Sequence, residues 1–112
     1  MNEKEFGDYL LSFPNVWIDT SLEENLSVYK IGEKGDENSK IFALIFNKTK
    51  PLKIGLKCDP LLAKSLREDY ETVLPSNKLS KKYWNTIICS GQLDEDYIKG
   101  LVILSHNLVV GE

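Results

Sequence analysis

The segment Leu52-Lys53-Ile54-Gly55-Leu56-Lys57-Cys58-Asp59-Pro60 decides the fold. Leu52, Ile54 and Leu56 fall on one side of an extended chain and Lys53, Gly55 and Lys57 on the other, the two-residue period of a strand. Asp59-Pro60 then starts a helix. The Asp side chain accepts from the free amides of the first turn, and proline's fixed φ and missing N–H suit the first helical position. The helix is predicted to run to about Tyr70, burying Leu62, Leu66 and Tyr70.

Upstream, Lys40–Asn47 reads as a strand whose apolar run Ile41–Phe46 does not alternate, as expected of a central strand covered on both faces. Ser27–Ile31 is a further strand, joined to it by the glycine-containing, charged turn Gly32–Ser39. Asn47–Pro51 is the next turn. Before these, Phe6, Leu10 and Phe13 lie one helical turn apart, so a helix is predicted over residues 3–13, capped by Asn2 and stopped by Pro14. Val16-Trp17-Ile18 reads as a short extended piece.

Downstream, Thr72–Asn77 is extended or looped, and Ser80 caps a short turn over Lys81–Tyr83. Asn85–Cys89 is a β-branched strand. Asp94 caps a last helix to about Leu108 with Ile98, Leu101, Val102, Ser105 and Leu108 inward, its Gly100 marking close packing. Strands joined by short turns pair antiparallel, and the helices then cover one face, so the fold class is α+β, an antiparallel sheet with helices packed on one face.

A chain of 112 residues, 42% hydrophobic and 28% charged, fits one domain over 1–112 with a real core. Composition excludes disorder, collagen and coiled coil, and no apolar run reaches the ~18–20 residues of a membrane span. The stretch MNEKEFGDYL lacks a signal peptide's basic start and apolar stretch, so a cytoplasmic location is expected. Cys58 and Cys89 form no CxxC, and a single His completes no zinc site with them, so reduced thiols in or near the core are expected. The net charge is −3, but residues 38–93 carry ten bases against four acids, while residues 1–37 carry nine acids against three lysines. The basic middle is either a set of solvated lysines or a patch for an anionic partner hidden by the average.

Catalytic constellations are weak. His106, near the end of the last helix, is expected as a helix-terminal His favoured by the dipole. Glu23-Glu24 and Asp94-Glu95-Asp96 are sequence neighbours, the latter at a helix start where negative charge is stabilising anyway. No GxSxG, phosphate loop or calcium loop occurs. The informative stretch is Asn77-Lys78-Leu79-Ser80-Lys81-Lys82-Tyr83-Trp84-Asn85-Thr86, with three lysines, two aromatics and no acid. Lysines there would neutralise phosphates while Tyr83 or Trp84 stacks on a base or sugar. The plainer reading buries Trp84 in the core with the lysines in water. The two coexist if a buried Trp84 fixes a rigid lysine loop.

Leu56-Lys57-Cys58-Asp59-Pro60, Leu66-Arg67 with Tyr70, Lys81-Lys82-Tyr83-Trp84-Asn85-Thr86 and Ser105 to Val110 together resemble the MmcQ/YjbR family, from about Phe13 to Val110. The resemblance implies a compact α+β sandwich related to the CyaY/frataxin type. It also implies DNA binding in a "double wing" arrangement. Carried over by position, the implied surface is Lys57, Lys81, Lys82, Trp84, Asn85 and Thr86. The family often has His where this chain has Tyr83, so a proton-transfer role there is not carried over, while stacking or hydrogen bonding is. Frataxin-like proteins use an acidic ridge on the first helix for iron. Glu3, Glu5 and Asp8 stand on that helix here, and solvated helix carboxylates explain them equally well.

The expectation is therefore a non-enzymatic DNA-binding protein, a monomer or weak dimer, with no cofactor, metal or membrane partner. The candidate nucleic-acid-binding residues are Lys53, Lys57, Lys78, Lys81, Lys82, Tyr83, Trp84, Asn85 and Thr86. The alternative is a protein-interaction or small-ligand adaptor using the same loop.

Overall fold

The alternating segment forms β4 (Lys53–Lys57), and Asp59 caps α2 (Pro60–Asp69) by accepting from the amides of Leu61 and Leu62. The computed structural model describes residues 1–112. The remaining elements are α1 (Glu3–Leu11), β1 (Val16–Asp19), β2 (Leu26–Ile31), β3 (Lys40–Phe46), β5 (Val73–Pro75), β6 (Trp84–Ile88) and α3 (Glu95–Val110). The six strands form one sheet in the order β1-β2-β3-β4-β6-β5, antiparallel throughout. Two short strands, β1 and β5, are the edges. Pro75 is tolerated in β5 because an edge strand needs no donor on its outer side. No helix is long and apolar enough to cross a membrane.

The three helices share one core with the sheet, in which Phe6 and Leu10 of α1 and Ala63 and Leu66 of α2 join Ile98 and Val102 of α3 over Ile45, Ile54 and Ile87. The opposite face is not bare. Leu26, Val28, Leu44 and Trp84 make a second, smaller cluster flanked by Ile41, Phe46 and Leu79. This explains why the Ile41–Phe46 run does not alternate, and a β-bulge adds to it. Tyr29 lies opposite Ala43 and Lys30 opposite Ile41, so Phe42 has no partner. Phe42 and Ala43 thereby both enter the helix-side core, while Ile41 flanks the other cluster. Gly55 packs closely against Leu44 on that second face. A Cβ there would stand 3.1 Å from Leu44 Cδ1.

Four local expectations are corrected. α1 stops at Leu11, with Ser12 as its cap, because Phe13 precedes Pro14 and is biased out of the helical region. α3 continues to Val110, and the buried positions step as Ile98, Val102, Ser105 and Val109, leaving Leu108 half-buried. That extra length puts His106 inside the helix rather than at its end, and the ring is buried in the core, its centroid 4.9 Å from Phe13 and 5.6 Å from Phe42. Gly100 marks no close packing, since nothing lies within 4 Å of the Cβ position.

Candidate nucleic-acid interface

The stretch from Ser76 to Thr86 is tied down before it offers any charge. The Ser76 hydroxyl accepts from the amides of Lys78 and Leu79, both at 3.1 Å. The amides of Tyr83 and Trp84 donate to the Ser80 carbonyl at 3.2 and 2.9 Å, closing the expected turn. Cys58 N–H donates to the Tyr83 carbonyl at 2.7 Å, which fixes the turn against the end of β4. Arg67 of α2 completes the frame, donating from Nη1 to the Lys81 carbonyl at 3.2 Å and to Asn85 Oδ1 at 2.7 Å.

Three of the nine sequence-derived candidates lie in the interior. Trp84 is the lid of the second cluster. Asn85 points to the helix side, where its Nδ2 donates to the Ala63 carbonyl at 3.1 Å. Thr86 is buried opposite Gly55, and its Oγ1 has no hydrogen-bond partner. These residues hold the segment in place; their side chains do not form its outer surface.

Two more candidates already carry an acid. Lys78 pairs with Glu23 at 2.5 Å, and Lys57 pairs with Glu112. The other four carry no acid, although Lys53 is half-buried. Lys81, Lys82 and Tyr83 are exposed, and Lys82 Nζ lies 5.5 Å from the Tyr83 ring centroid. Lys53 Nζ lies 4.9 Å from the Phe46 ring at the other end of β4.

Sequence reasoning missed Lys48 and Lys50. Both sit in the β3–β4 turn beside Lys53, both are exposed, and neither is in an ion pair. They line an open groove of about 920 Å³ together with Asn2, Glu3 and Lys4. A signal was present in the turn composition Asn47-Lys48-Thr49-Lys50-Pro51, read only as a connection. Lys48 adopts φ 63°, which turns the chain and presents its side chain at the tip. Unpaired lysines thus flank both ends of β4: Lys48, Lys50 and Lys53 at one, Lys81 and Lys82 at the other. Lys34, in the β2–β3 turn, is also unpaired.

The titratable groups suited to catalysis are held quiet. Burial pushes the Cys58 and Cys89 thiols up to about 11, so neither is a thiolate at neutral pH. His106 Nε2 is buried without a partner. The acids of α1 have local duties. Glu5 closes a capping box with Asn2, and Asp8 pairs with Lys4 at 2.8 Å. No three His, Cys, Asp or Glu side chains converge as a metal site requires.

Comparison with known proteins identifies the family. A family model described as YjbR matches residues 11–108. The proteins named "Uncharacterized protein YjbR" of Escherichia coli K12 and O157:H7 are each 33% identical over 70 residues, 62% of this chain. The match spans 59% of the length of those relatives. The crystal structure of Deinococcus radiodurans DR2400, with a domain described as DUF419, superposes with a TM-score of 0.89 at 24% identity over 97% of this chain and 78% of that one, and so shares the fold. A Pseudomonas syringae protein of known crystal structure gives a TM-score of 0.76 at 25% identity, over 97% of this chain and 99% of that one. With the family model extending from residue 11 to residue 108, across all six strands, α2 and most of α3, this chain belongs to the YjbR family.

Proposed function

We propose that this chain is a non-enzymatic DNA-binding module that contacts phosphates with the lysines at the two ends of β4. The observation that carries the reading is the pairing pattern. Lys48, Lys50, Lys53, Lys81 and Lys82 are left without acids in a chain whose net charge is −3 and whose other lysines, Lys34 apart, are engaged by Asp or Glu. Cations that a net-acidic protein leaves unpaired on a rigid frame are available to a polyanion. Tyr83, exposed between Lys82 and the end of β4, offers a ring on which a base or sugar can stack. The raised thiols and the buried imidazole favour binding over nucleophilic chemistry.

The test is fluorescence anisotropy of a labelled DNA duplex across a salt series. Four or five lysines on phosphates give a slope of log K against log salt of roughly −4. A flat response contradicts the reading. A second reading, an adaptor for an acidic protein partner, draws on the carboxylates of Glu23 and Glu112 that already sit on Lys78 and Lys57. It predicts no affinity for duplex at low salt and a saturable protein partner instead.

A further inference from the structure

Glu112 follows the α3 cap Gly111, and its carboxylate joins two strands of the sheet. It contacts Lys57 at the end of β4 and lies 3.8 Å from Lys40 Nζ at the start of β3. Lys57 is not an ordinary surface lysine. Its side chain is only 19% exposed, and its ammonium stands 5.7 Å from the centroid of the Tyr83 ring. Lys82 stands 5.5 Å from the same ring. Three ammonium groups and an aromatic ring therefore gather at one end of the sheet, with one carboxylate among them. The partial burial of Lys57 strengthens its attraction for an anion relative to a fully hydrated lysine. One carboxylate leaves this cluster with excess positive charge.

A phosphodiester presents two equivalent oxygens and one negative charge, as a carboxylate does. We propose that Lys40, Lys57 and Tyr83 form a phosphate site contiguous with Lys82, and that Glu112 is its built-in competitor. The Glu112 carboxylate fills the site in the free protein and is displaced by a phosphate of the bound nucleic acid. The site rests on the DNA-binding reading and adds a regulation to it. A tethered competitor lowers apparent affinity by the fraction of time the site stands open.

The test compares wild type, Glu112→Gln and the double variant Lys57→Ala/Glu112→Gln by anisotropy with a labelled duplex across a salt series. Glu112 is a surface residue whose exchange for Gln leaves the core untouched. Glu112→Gln is expected to bind about three- to ten-fold tighter at low salt. Its salt slope should stay close to that of wild type, since the same lysines meet phosphates in the bound state of both proteins. Adding Lys57→Ala should remove the gain. As a second readout, inorganic phosphate titrated into Glu112→Gln should shift the amide resonances of Lys57 and Tyr83 saturably, at concentrations that leave the wild type unchanged. Wild-type binding that Glu112→Gln does not alter overturns the competitor while leaving the DNA reading intact. Binding by Glu112→Gln but not by wild type supports the competitor most strongly. Absence of binding by both overturns the site and the DNA reading together.

Discussion

Arg67 Nη1 of α2 lies 2.7 Å from Asn85 Oδ1 of β6 and donates as well to the carbonyl of Lys81 at 3.2 Å. One guanidinium thus joins the helix started by Asp59-Pro60, the strand behind the lysine turn and the turn itself. Asn85 relays the connection by donating to the Ala63 carbonyl at 3.1 Å. The lysines at this end of β4 are exposed, yet the Lys81 carbonyl is held by a charge-assisted hydrogen bond from Arg67, which is itself anchored on the buried Asn85.

Arg67→Ala should destabilise the fold by about 1.5–3 kcal/mol, the range for hydrogen bonds to charged groups. Asn85→Ala should cost a similar amount, because it frees the same guanidinium and the Ala63 carbonyl. The two losses should not add, since both break one network. Urea unfolding of the singles and the double measures this; strict additivity contradicts the linkage. Amide exchange at Lys81–Tyr83 should quicken in Arg67→Ala.

Two helical glycines should respond in opposite directions. At Gly100 the Cβ position is open space, so Gly100→Ala should stabilise by about 1 kcal/mol through helix propensity. At Gly7 a Cβ would stand 2.8 Å from the Tyr29 hydroxyl, so Gly7→Ala should destabilise despite the same propensity gain. Thermal unfolding of both variants checks the pair.

His106 is buried between Phe13 and Phe42 with Nε2 unpartnered. An unsatisfied buried nitrogen costs about 1–3 kcal/mol. His106→Leu should therefore raise stability by about 1 kcal/mol after some loss of ring contact. A lower melting temperature in His106→Leu contradicts this and assigns the imidazole a role that the contacts do not account for.

Hydrogen bonds from Ser21 and Lys30 hold the Asp19 carboxyl down at about 2, against 3.8 for a free Asp. A depressed folded value means stability that is fully present above the unfolded pKa and lost as pH falls toward the folded one. Between about pH 4 and pH 2, wild type should lose more stability than Asp19→Asn. Acid titration followed by circular dichroism checks it; parallel curves contradict it.

Much of the fold was legible because its signals are local. The alternation of Leu52, Ile54 and Leu56 and the Asp59-Pro60 cap act within a few residues, and both appear where expected. The bulge at Phe42 was not legible, since it arises from pairing between β2 and β3 and not from either strand alone. Nor was the burial of Asn85, a polar residue kept inside only because Arg67 and Ala63 meet it across the fold. The candidate site was legible as a lysine segment but not as a set of free charges. Lys57 and Lys78 meet Glu112 and Glu23 from 55 residues away, which spacing along the chain does not reveal. Lys48 and Lys50 join the candidate lysines only once the β3–β4 turn is seen to place them at the start of β4, beside Lys53.

Phosphate binding by lysines at both ends of β4 is measured most directly by anisotropy of one labelled duplex at low and moderate salt with wild type, Lys81→Ala/Lys82→Ala and Lys48→Ala/Lys50→Ala/Lys53→Ala. Salt-sensitive wild-type binding is predicted, weakened in each variant, with the slope of log K against log salt shallower by about 2 and about 3 respectively. Wild-type affinity and slope retained in both variants would contradict it.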